Sequence, residues 1–408
     1  MIGAQPLARA ATVAVLLWIL APSRVVAGGL ETLPMPAIQI GQLTSQTGNN
    51  PAGRDGEDGA RQAIAEINAA GGLLGGRSLE LRIEDDRTSV EAGIAAFDRL
   101  SRSGVSAIVG SSFSNVSLAL IPHVEQARIP YVSTGAADGQ VEPVHPYMYM
   151  TSLSGRLVGE QLLRFLRGLG VRRLAVVYDA DSRFARSSWE RQHRALARFH
   201  LSLIDEAAVH VDTEEFGTVL AGIQSSRAQA VMAWLTGPPA VAFARAFHRA
   251  GMTLPLVMSH GAASRGFIAA VGDAGEGIYV ATSLALVADQ APASPAARLA
   301  QSMSRHFRDA HGQTPSQFAV DAYVAVRIIA AAIERAGSDD PRAIQATLDT
   351  LTLATPQGIY RYAPDNHSGL RVGDIAVAQI RHRAFVLTGW SRRLFATEQS
   401  QETVHDLP

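Results

Sequence analysis

The residues best placed to do chemistry are Gly110-Ser111-Ser112-Phe113-Ser114-Asn115, a run of hydroxyls and small residues between a β-branched apolar stretch and a helical one. Between a strand and a helix, hydroxyls and unpaired backbone N–H groups converge on one spot and can cradle an anion. The same spacing also fits an ordinary serine N-cap, which satisfies helix donors and binds nothing. A second polar run, Ser133-Thr134-Gly135-Ala136, follows the next apolar segment and is expected to face the same cleft. Thr236 and His260 join the candidate set, His260 fitting either a turn position or a ligand contact.

Catalytic chemistry finds little support. No G-x-S-x-G, H-E-x-x-H or G-x-x-x-x-G-K-[ST] pattern occurs, so no catalytic residue is expected. The sequence has no Cys and no Lys, all 36 basic residues being Arg. That removes Schiff-base, P-loop-lysine, thiolate and zinc–thiolate chemistry, disulfides and lipid attachment to an N-terminal cysteine. His193 with His200, and His306 with His311, are not spaced to bring two metal ligands together on one helical face. Asp85-Asp86 reads as a carboxylate pair capping a loop at a strand end more readily than as a cation site, so neither metal nor cofactor is expected.

The elements that must position these residues follow from length and pattern. At 408 residues, 47% hydrophobic and 18% charged, the chain has apolar surface for two domains. A net charge of −1 argues against nucleic acid or an acidic membrane surface as partner. Residues 1–27 read as a signal peptide: Arg9, an apolar run from Ala10 to Ala21, then Val25-Val26-Ala27 before a cut at Gly28. Pro22, Ser23 and Arg24 end that run short of a membrane span, so export to the periplasm is expected.

From Ala37 onward strands and helices alternate. Strands are predicted at Ile38–Leu43, Leu79–Ile83, Val105–Val109 and Ile129–Val132, with helices carrying Ala60, Ile64 and Ile67, then Ile94, Phe97 and Leu100, then Ile121–Ala127. A second series predicts strands at Leu174–Tyr178, Ser202–Val209, Ala230–Trp234 and Leu256–Met258 between helices, and later helices at Ala296–Gly312, Gln317–Ala336 and Pro341–Thr350. Helices between successive strands imply parallel pairing and right-handed crossovers. Ile359–Tyr362 and Ile375–Val386 read as antiparallel strands around a Pro364-Asp365-Asn366 turn, and the tail over residues 395–408 as disordered.

Several segments together resemble a known family: Gln62-Ala63-Ile64-Ala65-Glu66-Ile67-Asn68-Ala69-Ala70-Gly71-Gly72, Gly76-Arg77, Leu79-Glu80-Leu81, Asp85-Asp86, Val109 to Ser114, Arg128 to Ser133, Pro255 to Gly261 and Asp321-Ala322-Tyr323. They are similar to the branched-chain amino-acid binding proteins of ABC transporters, over roughly Ala37 to Leu387. The resemblance implies a type I periplasmic-binding fold: α/β, two doubly wound parallel-sheet lobes joined by a three-strand hinge, with ligand in the cleft. Crossings are expected near Met150–Ser154, Ala281–Leu284 and Leu353–Gln357, giving one lobe of residues 37–152 plus 284–353 and another of 153–283 plus 354–390.

The resemblance also implies that Ser114 holds a ligand carboxylate and that Ser133–Ala136 offers backbone groups to it. The sequence departs from the family where Ala52 replaces an aromatic, Ala137 a threonine, Phe184-Ala185 a Tyr-Gly pair, and Ser259-His260-Gly261 a segment that often carries an acidic residue. That run and Ala363–Leu370 resemble a subgroup associated with organic or aromatic acids. The expected cargo is thus a small carboxylate without a recognised ammonium, its charge at Ser112, Ser114 and the Ser133–Ala136 backbone, its body against Phe113 and Phe184. A monomer delivering that ligand to an ABC permease is the expected role, with a periplasmic sensing subunit as the alternative.

Overall fold

Ile38, Ile40 and Leu43 are buried in a strand covered on both faces, as a central parallel strand requires. The computed structural model describes Met1, residues 35–48 and residues 53–405. The expected signal peptide, Met1 apart, and Ala52 lie outside the described residues. Strands β1 (Ile38–Thr44), β2 (Leu79–Asp85), β3 (Ala107–Val109), β4 (Tyr131–Ser133) and β5 (Met148–Met150) form one sheet in the order β2-β1-β3-β4-β5, parallel throughout. Helices α1 (Gly53–Ala69), α2 (Val90–Ser101), α3 (Ser114–Ala119) and α4 (Ile121–Ala127) connect them.

The second sheet repeats this winding. Strands β6 (Arg173–Asp179), β7 (Ser202–Val209), β8 (Ala230–Trp234), β9 (Leu256–Met258) and β10 (Tyr279–Thr282) run parallel in the order β7-β6-β8-β9-β10. Helices α5 (Gly155–Gly168), α6 (Arg183–Ala195), α7 (Gly217–Ser225), α8 (Gly237–Arg249) and α9 (Arg265–Val271) join them. The chain then returns through α10 (Pro295–His311), α11 (Gln317–Ala336) and α12 (Pro341–Leu348), and α11 packs on α1. One apolar cluster fills the outer face of the first sheet around Phe97 and Tyr131, another that of the second around Phe243 and Phe267.

The C-terminal pairing differs from the sequence reading. Strand β11 (Thr352–Thr355) pairs antiparallel with β12 (Gly358–Arg361), while β13 (Ala376–Arg381) pairs with β10 and with β14 (Ala384–Leu387). The hairpin therefore lies inside the predicted Ile375–Val386 strand, turning at His382 and Arg383, whose φ angles of 50° and 59° suit a two-residue hairpin turn. Pro364-Asp365-Asn366 folds back on itself, Asn366 accepting from the Ser368 and Gly369 amides, and joins no hairpin. Residues 395–405 of the expected disordered tail are instead the end of a helix, α13 (Gly389–His405), and residues 406–408 lie outside the described residues. Among the described residues no helix is long and apolar enough to cross a membrane.

The chain passes from the first sheet to the second between Met150 and Gly155, leaves it after Thr282, and re-enters it at Ala376, later than the Leu353–Gln357 crossing read from sequence. Helix α11 ties these passages together. The Thr151 hydroxyl donates to the Asp321 carbonyl (3.0 Å), the Ser283 amide to Gln317 Oε1 (2.8 Å), and Gln357 Nε2 to Asp321 Oδ1 (2.8 Å). Tyr360 adds a hydroxyl bond to the Thr151 carbonyl.

Candidate functional site

In doubly wound sheets ligands sit beyond the carboxyl ends of the strands, and the carboxyl ends of both sheets meet here around a cavity of about 150 Å³. Ser112, Phe113, Ser114 and Asn115 reach it from beyond β3, Thr134 and Ala136 from beyond β4, and Ser152 from beyond β5. Across the cleft stand Asp179, Asp181, Ser182 and Phe184 after β6, Val211 after β7, Thr236 and Pro238 after β8, and His260 and Gly261 after β9. Thr88 and Phe318 complete the wall, and among the described residues no arginine is part of it.

The loop after β3 is built on a buried floor. The Ser111 amide donates to the Tyr131 hydroxyl (2.8 Å), and the Ser111 hydroxyl accepts from the Phe113 amide (3.0 Å) while donating to Asp86. Gly110 is required there, because a Cβ would stand 2.3 Å from the Tyr131 ring. Asp86 also accepts from the Thr88 amide, and Asp85 from the Gln46 and Arg87 amides, so this carboxylate pair caps loops. Among the described residues no group of three or more His, Asp or Glu could hold a metal ion.

The candidate residues divide. Ser112, Phe113, Ser114, Thr134, Ala136, Phe184, Thr236 and His260 line the cavity, but Ser133 and Gly135 lie beneath it. Ser133 is fully buried, its hydroxyl donating to Gln140 Oε1 and accepting from the Gly135 amide (3.0 Å). Successive strand side chains alternate faces, which turns Ser133 away from the wall that Thr134 joins. Gly135 backs the site closely, since a Cβ on it would come 3.1 Å from Ser114 Oγ.

Ser114 Oγ accepts from the Ala136 and Ala137 amides at 3.1 and 3.2 Å. The Ala136 amide, expected to meet a ligand directly, is engaged by the serine together with that of Ala137, and the serine's own proton remains free to be donated into the cavity. The Thr134 hydroxyl donates to the Gly110 carbonyl (2.9 Å) and so presents only lone pairs. Facing them, His260 is 4% exposed, and burial holds its pKa down to about 3, leaving a neutral imidazole. Its Nε2 lies 3.3 Å from Ser152 Oγ and its Nδ1 has no hydrogen-bond partner among the described residues. The Phe184 ring meets His260 edge-on at 5.4 Å and Trp234 at 5.6 Å.

Sequence reasoning missed Ser152, Asp179, Asp181 and Phe318 as wall residues, and singled out Asn115 only as the end of the Gly110–Asn115 run. Asp179 ends β6 and Ser152 closely follows β5, so position at the carboxyl end of a parallel strand was the available signal. Asp179 is 4% exposed and burial raises its pKa, while the Val211 amide and His210 lower that of Asp181. Asn115 joins the two walls, Nδ2 donating to the Asp181 carbonyl (3.2 Å) and Oδ1 accepting from the Arg183 amide (3.0 Å). Behind it, Arg191 of α6 pairs with Glu142 at 2.6 Å.

Comparison with known proteins agrees with this geometry. The family of periplasmic binding proteins matches residues 37–384. Leu/Ile/Val-binding protein homolog 3 of Brucella melitensis biotype 1 is 23% identical over 340 residues, which are 82% of this chain and 89% of that one. An extracellular ligand-binding receptor from Rhodopseudomonas palustris HaA2 has the same fold with a TM-score of 0.78 at 23% identity, covering 86% of this chain and 99% of the other. A solute binding protein of an ABC transporter from R. palustris, solved in complex with benzoate, gives 0.76 at 20% identity over 86% and 96% of the two chains. With the match spanning nearly every element described above, the chain belongs to the periplasmic binding protein family, in its type I fold and among relatives of the branched-chain amino-acid binding proteins.

Proposed function

We propose that the protein is an exported solute receptor of an ABC importer, monomeric and without catalytic activity, that captures a small carboxylate with an apolar body by closure of its two lobes. On this reading the segment up to about Ala27 is removed on export to the periplasm, and a membrane permease is the partner. The lobes on this reading are residues 37–152 plus 284–353 and 153–283 plus the returning strands from Ala376.

The observation that carries this reading is the cavity itself. Its volume of about 150 Å³ is far below the ~300–1,000 Å³ of drug-sized sites and close to that of an engineered cavity that holds benzene. Ser112 and Ser114 supply donors at one end, while Phe113, Phe184 and Phe318 give an apolar surround. Charge-assisted hydrogen bonds are worth ~1.5–3 kcal/mol each, and micromolar affinity needs ~8 kcal/mol net. One wall falls short of that; two closing walls reach it. Asp181, whose carboxyl is held ionised, lines the facing wall and disfavours a carboxylate against its side chain, which suits a charge held by the hydroxyls of Ser112 and Ser114.

A thermal-shift screen followed by calorimetry tests the reading, using aromatic acids, aliphatic acids, amino acids and their amides. Micromolar binding of an acid without an amino group is the expected result. Binding confined to ligands lacking a carboxylate refutes it. Tight leucine binding with no binding of simple acids refutes the absence of ammonium recognition.

A further inference from the structure

Helix α6 packs on β6 and β8 of the second sheet, yet it also rests against the first lobe at α3 and at the turn over Asp138–Gln140. Asn115 makes that contact at the helix N-terminus, meeting the Asp181 carbonyl and the Arg183 amide. From Arg183 to Arg191 is roughly 12 Å along the helix axis, and there the lobes meet again, through charge. Arg191 Nη1 donates to Glu142 Oε2 at 2.6 Å, and Arg156 Nε of α5 donates to Glu142 Oε1 at 2.9 Å. Glu142 lies between β4 and β5 of the first sheet, whereas α5 packs on β10 and β13 of the second. One first-lobe carboxylate therefore gives each of its oxygens to an arginine from beyond the crossing. Beside it, Asp138 Oδ1 accepts from the Arg156 amide at 3.1 Å. Asp138 Oδ2 is buried without a hydrogen-bond partner among the described residues and stands 3.9 Å from Arg191 Nη1. Arg191 is thus the cation that faces two carboxylates of the first lobe.

The two arginines respond differently to a rotation of the lobes. Arg156 sits at the pivot, where the Gly155 amide donates to the Ala136 carbonyl at 2.9 Å and its own amide to Asp138, both first-lobe acceptors. Arg191 is more than two turns into α6 and reaches the first lobe by its side chain alone. Turning the second lobe about the Met150–Gly155 passage leaves Arg156 beside Glu142 and carries Arg191 away. None of these residues lines the ligand cavity. The side chains of Arg156, Glu142 and Arg191 are 32, 38 and 37% exposed, so dissolved ions reach them.

We propose that Glu142 is an interlobe clasp that holds α6 against the first lobe through Arg191, so that ionic strength regulates how far the receptor closes whatever occupies the cavity. Apparent affinity is the intrinsic affinity scaled by the fraction of molecules in the binding-competent form, so a looser clasp weakens binding without touching a ligand contact. Exposed ion pairs are individually weak, and sharing one carboxylate between two arginines joins them into a network, which makes the expected effect several-fold and graded.

Small-angle X-ray scattering of the full-length protein without ligand tests the clasp by itself. Between about 50 and about 500 mM salt the Debye length falls from roughly 14 to roughly 4 Å. The wild type should show a larger radius of gyration at the higher salt, and Glu142→Gln should show that larger value at both. Glu160→Gln is the control, because Glu160 also serves two arginines, Arg164 at 2.7 Å and Arg198 at 3.6 Å, but all three belong to the second lobe; it should follow the wild type. A wild-type radius that ignores salt, a Glu142→Gln protein as compact as the wild type at low salt, or a control that opens as far as Glu142→Gln overturns the proposal. The second arm rests on the proposed cargo and uses calorimetry with benzoate. At low salt Glu142→Gln should bind about threefold to tenfold more weakly than the wild type, and at high salt the two should converge. Any salt effect on benzoate's own charge is common to all three proteins, so the difference between them reads the clasp. Equal affinities at low salt overturn the clasp, whereas a salt-dependent radius with no benzoate binding by any of the proteins refutes the proposed ligand class and leaves the clasp standing.

Discussion

Replacing Ser114 with alanine isolates the role of one hydroxyl. Ser114 Oγ is the acceptor for the Ala136 and Ala137 amides, and those residues are 6% and 1% exposed. An orphaned buried donor costs ~1–3 kcal/mol, so losing both acceptor contacts costs about 2–4 kcal/mol if water re-solvates part of one. Ser112→Ala is the control. Its hydroxyl lines the same cavity, but no described residue bonds to it, so the change in stability should stay within about 0.5 kcal/mol. Urea unfolding of the ligand-free proteins measures both. Calorimetry then separates binding from folding: each variant should weaken carboxylate binding by roughly tenfold or more, the effect of losing one charge-assisted bond. Equal stability of the two variants would refute the assignment of Ser114 as the acceptor that holds the β4 loop against the β3 loop.

Gly110→Ala drives a methyl into the Tyr131 ring at 2.3 Å, and overpacking of this kind should destabilise the protein by ~1–3 kcal/mol by urea unfolding, with Tyr131→Phe restoring nothing. Phe184→Ala removes a ring that packs on both Trp234 and His260; the expected loss is ~3–5 kcal/mol in stability, together with weaker binding of aromatic acids by calorimetry. Asn115→Ala cuts the two bonds across the cleft mouth, and small-angle scattering without ligand should record a larger radius of gyration than in the wild type. Asp321 gives stability a defined pH dependence. Its folded pKa of about 7 lies above the ordinary 3.8, so stability is fully present below the lower value, falls as pH rises between the two, and levels off above the upper. Urea unfolding at pH 5 and pH 8 should record a drop of a few kcal/mol that Asp321→Asn lacks.

Strand and helix positions were legible where the apolar pattern was continuous. Ser202–Val209, Ala230–Trp234, Leu256–Met258 and Gln317–Ala336 coincide with their observed bounds. The short strands Met148–Met150 and Tyr279–Thr282 were not read as strands: unlike the wholly apolar Leu256–Met258, they carry the polar groups of Tyr149 and Thr282 beside the crossings into which they were absorbed. The β13–β14 turn was missed because His382 and Arg383 hold positive φ without Gly or Asn to announce it. In the site, the loops were legible and the atoms were not. Ser133 and Thr134 look equally suited to bind, and only the alternation of faces at the end of β4 sends one into the core. Asp179 was read past as the residue after a strand, since nothing in a sequence reveals that two sheet edges will face one another there.

The late return of the chain to the second sheet has a consequence for biogenesis. Its edge pair, β13 and β14, comes from Ala376–Leu387, whereas its other strands lie between Arg173 and Thr282. A chain that stops short of Ala376 leaves β10 as a bare edge, with the backbone of Tyr279–Thr282 open to pairing with another molecule. The first sheet waits as well, for α11 to cover it. Neither half can be finished from a contiguous stretch of polypeptide, so stable structure arrives only when nearly all of the chain has emerged, and prematurely terminated products are expected to aggregate or be degraded rather than persist as half-receptors.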